Sequence, residues 1–137
     1  MAGKGISKRR LGRLLAALCV ILLGLLLRRF GYDLGLPFLI VKYGGSILWG
    51  AMVFLIVACL AGLRRPIVLV TVALLIAIAV EFSRLYQTPA LDAFRLTLAG
   101  KLLLGRVFSL WNILAYAIGI ALAAVADAML TRVDRDQ

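Results

Sequence analysis

Polar and charged residues concentrate in one stretch of this 137-residue chain, between Glu81 and Gly119. Long apolar runs flank the stretch on both sides. Ionisable groups within membrane-spanning sequence are expensive to bury and are usually paired or functional. We therefore expect a ligand-binding site here. Its candidate residues are Glu81, Arg84, Asp92, Arg95, Arg106, Ser109, Asn112 and Tyr116.

The chemistry that this stretch favours is anion binding. Its four cations are Arg84, Arg95, Lys101 and Arg106. The planar fork of an arginine suits a phosphate, so these residues predict a basic pocket for the headgroup of a phosphate-bearing lipid or glycolipid. The alternative is that each side chain only reaches ordinary headgroups at the membrane surface.

Catalysis has less support than binding. Glu81 and Asp92 are the acids of the stretch, and nothing marks them as a general acid and base. The chain has no histidine, which excludes the usual zinc and haem ligand sets and a Ser-His pair. Cys19 and Cys59 lie far apart within apolar runs, and we interpret them as packing residues. We therefore predict no catalytic residue, no metal site and no cofactor.

Four residues of the stretch are spaced so that they would lie on one face of a helix. Intervals of three and four separate Ser109, Asn112, Tyr116 and Gly119. An asparagine in a span most often hydrogen-bonds a neighbouring helix. We expect Glu81 to be the partner of this face. Two states are open from the sequence: an ionised Glu81 with Arg84 or Arg95 as its counter-ion, or a Glu81 that burial keeps neutral.

Composition places most of the chain in a bilayer. Apolar residues make up 64% and charged residues 16%, whereas soluble domains average about 45–50% and about 25%. The net charge of +10 comes from basic residues at the ends of apolar runs. This position is typical of membrane flanks, and we predict no nucleic-acid partner.

Four apolar runs are candidate spans: residues 14–27, 44–63, 66–80 and 107–126. The first is shorter than the roughly 20 residues that a span needs, and we expect Arg13 and Arg28 to lengthen it by reaching the interfaces. A signal peptide is the alternative, but no small-residue cleavage pattern follows, which favours a retained helix. The third helix is predicted to continue to about Gln87.

The segments around the spans complete the predicted layout. Residues 90–106 predict a short interfacial or re-entrant helix, because they are too polar for a span and too apolar for a free loop. Tyr43 and Trp49 are predicted to anchor the second helix at the interface. We divide the chain into a basic cytoplasmic N-terminus (1–13), one four-helix domain (14–130) and a cytoplasmic tail (131–137). Nine basic residues against seven, with a dense N-terminal cluster, favour cytoplasmic termini.

Three segments carry a resemblance to a known family: YGGSILW at 43–49, EFSRLYQTPALDAFRLTLAGKLLLG at 81–105 and FSLWNILAYAIGIAL at 108–122. They resemble a family of small bacterial membrane proteins termed domain of unknown function 2809, which is similar in turn to the VanZ-like proteins named for glycopeptide-antibiotic resistance. The resemblance covers roughly residues 30–126. It implies a four-span inner-membrane protein in an envelope context, and it implies no reaction.

The family pattern is matched in part. Its acid-x-x-Gln on the third helix has Glu81 for the acid but Arg84 in place of Gln. Its Asp-x-x-Arg element and its Leu-Leu-Gly step are matched by 92–95 and 103–105. On the last helix Asn112 replaces the usual Asp, whereas Tyr116 and Gly119 match. The replacement of Gln by Arg84 then gives Glu81 a counter-ion, Arg84 itself, on the same helix.

These observations predict an all-α integral membrane bundle of four transmembrane helices, with a short interfacial or re-entrant segment between the third and fourth. The favoured function is binding of an anionic lipid or glycolipid headgroup near the outer interface of a bacterial inner membrane. The alternative is an accessory subunit of a membrane complex, with a homo-oligomer or a membrane-protein partner. An enzyme acting on a lipid-linked substrate is a third, less favoured possibility.

Overall fold

The computed structural model describes residues 8–61, 65–97, 99–100 and 109–136. Within these residues the fold is all-helical, with five helices and no strand. The helices are α1 (Lys8–Phe30), α2 (Phe38–Ala61), α3 (Pro66–Ser83), α4 (Pro89–Arg95) and α5 (Leu110–Asp136).

Four of these helices are long and apolar enough to cross a membrane. The candidate spans are Arg10–Phe30, Phe38–Ala61, Pro66–Ser83 and Leu110–Leu130. The chain is therefore a multi-pass membrane protein, as predicted, and the short helix α4 lies between the third and fourth spans. Residues 101–106 of the predicted interfacial segment lie outside the described residues.

Helix boundaries differ from prediction at two places. α1 begins at Lys8, well before the apolar run that starts at residue 14. α3 ends at Ser83 and does not continue to Gln87, because the amide groups of Arg84 and Leu85 close short turns onto carbonyls three residues back. The chain then starts α4 at Pro89, where the fixed φ of proline suits a first helical position.

The helix α2 lies at the centre of the bundle and packs against α1, α3 and α5. It approaches α5 most closely at two glycines. A Cβ atom added to Gly50 would overlap the backbone of Tyr116, and one added to Gly119 would overlap the backbone of Ile47. Small residues of this kind allow two membrane helices to make extensive van der Waals contact.

An ion pair joins the helices near the two chain termini. Arg13 donates from Nε and Nη2 to the two carboxylate oxygens of Asp127, both at 2.8 Å, and from Nη1 to the carbonyl of Ala58 at 3.0 Å. The Arg13 side chain is 7% exposed. The prediction that Arg13 reaches the interface is therefore wrong, because a partner 114 residues away binds it inside the bundle.

Candidate functional site

Glu81 is the centre of a buried polar network at the end of the bundle away from the Arg13–Asp127 pair. Its side chain is fully buried. Oε1 accepts hydrogen bonds from the backbone amide of Ser109 at 2.7 Å and from Nδ2 of Asn112 at 3.1 Å. Oε2 accepts one from the hydroxyl of Tyr116 at 2.8 Å. Glu81 is thus the partner of the α5 face, as its spacing predicted.

Arg84 completes this network and is the counter-ion of Glu81. Its Nη1 lies 3.1 Å from Oε2 of Glu81, and its Nη2 donates to the hydroxyl of Tyr116 at 2.9 Å. That hydroxyl therefore accepts from Arg84 while it donates to Glu81, which links all three groups in one chain of hydrogen bonds. We call Glu81, Arg84, Ser109, Asn112 and Tyr116 the Glu81 cluster.

Helix ends explain why these groups meet. Glu81 and Arg84 lie at the C-terminal end of α3, and Ser109 immediately precedes the first residue of α5. The first amide groups of a helix have no partner within the helix and carry partial positive charge. The Glu81 carboxylate, which belongs to a different helix, is the partner of one such group, because it accepts a hydrogen bond from the Ser109 amide. The cluster therefore caps α5 and joins it to α3.

The predicted residues Asp92 and Arg95 form a second, adjacent pair. Thr88 caps α4 by accepting a hydrogen bond from the Leu91 amide at 3.1 Å. This short helix carries Arg95, which is 1% exposed and donates to the carbonyl of Ser83 at 2.7 Å. Its Nη1 lies 3.4 Å from Asp92, whose side chain is half exposed. Arg95 thus holds α4 against the end of α3.

The eight predicted site residues therefore have three different positions. Five of them form the Glu81 cluster, although Ser109 takes part through its backbone and not through its hydroxyl. Asp92 and Arg95 form the adjacent pair. Arg106 lies outside the described residues, as does Lys101 of the predicted basic pocket.

Sequence reasoning gave Arg28 only a flanking role. It lies in the last turn of α1. A Cβ atom added to Gly45 of α2 would lie 3.4 Å from Arg28 Nε, so the guanidinium packs over a position without a side chain. The sequence feature that could have indicated this packing is the Gly44-Gly45 pair at the start of the second span.

Trp49 also belongs to the site. It is 6% exposed, and its ring lies 4.7 Å from the ring of Tyr116, centroid to centroid, at an interplanar angle of 47°. The prediction that Trp49 anchors the helix at the interface is therefore wrong. In the described part of the chain, three buried side-chain atoms have no hydrogen-bond partner: Trp49 Nε1, Arg95 Nε and Asn112 Oδ1. Such atoms are uncommon in folded proteins.

Positive charge exceeds negative charge at this end of the bundle. Arg28 and Arg84 contribute two guanidinium groups, and Glu81 contributes one carboxyl group that is already engaged by four donor groups. No cluster of three or more metal-ligating residues occurs among the described residues.

Comparison with known proteins places the chain in a family. No solved structure matches it. The model of a family described as proteins of unknown function, DUF2809, matches residues 36–120. That range includes the whole Glu81 cluster together with Gly45 and Trp49, and it spans more than half of the chain. The chain therefore belongs to the DUF2809 family.

Proposed function

We propose that this protein binds the phosphate-bearing headgroup of an anionic lipid or glycolipid, at the end of the bundle where the Glu81 cluster lies. The observation that carries the proposal is the presence of two arginines from different helices at this end of the bundle: Arg84 of α3, which pairs with Glu81, and Arg28 of α1, which packs over Gly45. Guanidinium groups bind phosphate through paired hydrogen bonds.

The remaining residues have supporting roles in this proposal. Glu81 and Tyr116 hold the Arg84 side chain in place through short hydrogen bonds. Asn112 donates from Nδ2 to Glu81 and so connects the start of α5 to α3. Arg95 fixes the short helix α4 beside the site, and Arg106 enters the proposal on the grounds of sequence alone.

The proposed setting is the inner membrane of a bacterium, with both termini in the cytoplasm. Four spans put the termini on one side, and the basic N-terminal segment favours the cytoplasm for that side. The Glu81 cluster and Arg28 would then face the outer surface. The role that we propose is in the cell envelope, on the ground that the resembled family is similar in turn to VanZ-like proteins.

Thermal unfolding in a mild detergent tests this proposal. We expect phosphatidylglycerol to raise the Tm of the wild type more than phosphatidylcholine with the same acyl chains does. A basic side chain near a membrane contributes about 1 kcal/mol to anionic-lipid binding, which corresponds to about 2–4 °C in Tm for a protein of this size. Arg28→Gln should remove this preference.

Arg29→Gln is the matched control, because Arg29 has the same charge and lies on the same helix turn. Its guanidinium packs over the Phe30 ring and not over Gly45. It should keep the preference for phosphatidylglycerol. Equal stabilisation of the wild type by both lipids would refute headgroup binding at this site.

A second candidate function is that of an accessory subunit whose polar residues only connect helices. The observation that favours it is the complete engagement of both Glu81 oxygens by groups of the same chain. Purification from native membranes would then yield one stoichiometric complex with a second membrane protein. A protein that purifies without a partner and shows the lipid preference would exclude this candidate.

A further inference from the structure

A cavity of about 370 Å³ lies on the termini side of the bundle, and no residue of the Glu81 cluster lines it. Residues of α1, α2 and α5 form its walls, and it is partly open to the surroundings, since Gly12 and Leu122 of the lining are exposed. Small residues create the space: Gly12 and Ala16 on α1, Ala51 on α2, and Ala126 on α5. The volume falls within the range of ligand sites, which is about 300–1,000 Å³.

The cavity is elongated. Its lining on α1 extends from Lys8 to Val20, which corresponds to about 18 Å along a helix axis. Apart from Lys8, Arg13 and Asp127, the lining residues are apolar. An elongated apolar space in a membrane protein suits an acyl chain, whose burial there is favoured by the hydrophobic effect.

Charge is present at one end of this otherwise apolar space. Lys8 lines the cavity at the start of α1 and forms no ion pair with any described residue. Arg13 and Asp127 lie in the wall, where they neutralise each other. The lining therefore carries one net positive charge, beside the membrane surface where lipid phosphates lie.

We propose that this cavity binds one acyl chain of an anionic phospholipid, with the lipid phosphate against the Lys8 ammonium. The site is separate from the proposed headgroup site, because it uses different residues at the opposite end of the bundle. It recognises the chain by the shape of the cavity and the headgroup by a single cation. The buried Arg13–Asp127 pair keeps α1 and α5 together beside the cavity.

Native mass spectrometry of the detergent-solubilised protein with added phosphatidylglycerol tests this inference. The wild type should retain one lipid at each site. Gly12→Leu should retain one lipid fewer, because four added carbon atoms would project from a lining position into the cavity. The variant should fold, since no atom lies within 4 Å of a Cβ placed at Gly12. Lys8→Gln should still bind there but lose the preference over phosphatidylcholine.

Gly24→Leu is the matched control. It makes the same substitution on the same helix, also at a position with open space around the added Cβ, but Gly24 does not line the cavity. It should retain as many lipids as the wild type. The inference is overturned if Gly12→Leu, with an unchanged Tm, retains the wild-type number, or if free fatty acid occupies the site and phosphatidylglycerol does not displace it.

The same experiment separates the two proposals. Arg28→Gln should lose the lipid of the headgroup site and keep the cavity lipid, whereas Gly12→Leu should do the opposite. If Arg28→Gln changes nothing while Gly12→Leu loses a lipid, the cavity proposal stands and the headgroup proposal fails. If Gly12→Leu changes nothing while Arg28→Gln loses a lipid, the headgroup proposal stands and the cavity proposal alone fails.

Discussion

At the scale of single residues, Glu81 is an internal partner and not an exposed acid. Its oxygens accept hydrogen bonds from Asn112, Tyr116 and the Ser109 amide, and they form an ion pair with Arg84. Its side chain has no exposed surface. Breaking a buried ion pair by removing one partner leaves the other charge uncompensated. The carboxylate therefore contributes chiefly by holding Arg84 and the start of α5.

Glu81→Gln should accordingly destabilise the protein strongly. Loss of one partner from a buried pair costs about 3–5 kcal/mol, and we expect the lower end because the Arg84 side chain is 11% exposed. Glu81→Gln combined with Arg84→Gln should cost less than Glu81→Gln alone, since no unpaired charge remains. Unfolding followed by circular dichroism measures both.

Asp33→Asn is the control for this pair of variants, because Asp33 is an exposed acid in the turn after α1. It should leave the unfolding midpoint unchanged. A double variant that is less stable than Glu81→Gln would show that the ion pair is not the interaction that matters.

Residue-level prediction from sequence succeeded where partners are close in sequence or share a helix face. The pairing of Glu81 with Arg84 follows from a spacing of three, and the α5 face follows from intervals of three and four. The roles of Arg13 and Arg28 did not follow, because each depends on which helices pack together. An arginine at the end of an apolar run has the same sequence signature whether it reaches a headgroup or a buried aspartate.

At the scale of elements, the bundle depends on close contact between α2 and α5. Gly50 and Gly119 let the two backbones meet directly. The sequence shows a glycine within each of the two spans, but it does not identify which helices pack together. The length of apolar runs predicted four spans correctly, since span length is set by bilayer thickness. Ends such as that of α3 at Ser83 depend on tertiary contacts, here the hydrogen bond from Arg95.

Gly50→Ala and Gly119→Ala should each destabilise the protein, because the added methyl group would overlap backbone atoms that cannot move independently. Overpacking of this kind typically costs about 1–3 kcal/mol. Gly12→Ala and Gly24→Ala are matched controls on α1 with open space at the Cβ, and they should be neutral or stabilising. The order of Tm values among the four variants is the readout. Equal effects of all four would contradict direct backbone contact between α2 and α5.

At the scale of the whole molecule, the bundle has a polar cluster at each end and an apolar middle. The termini side holds the Arg13–Asp127 pair and the cavity with Lys8, and the opposite side holds the Glu81 cluster with Arg28. The two proposals together assign one anion-binding position to each end of the bundle.

Titration calorimetry with short-chain lipids tests the central claim most directly, since it measures headgroup affinity without a bilayer. We expect dihexanoyl phosphatidylglycerol to bind the wild type at least about fivefold more tightly than dihexanoyl phosphatidylcholine, the factor that corresponds to about 1 kcal/mol for one cation. Arg28→Gln should abolish the difference and Arg29→Gln should keep it. Equal affinities of the wild type for the two lipids, or an unchanged preference in Arg28→Gln, would contradict the account.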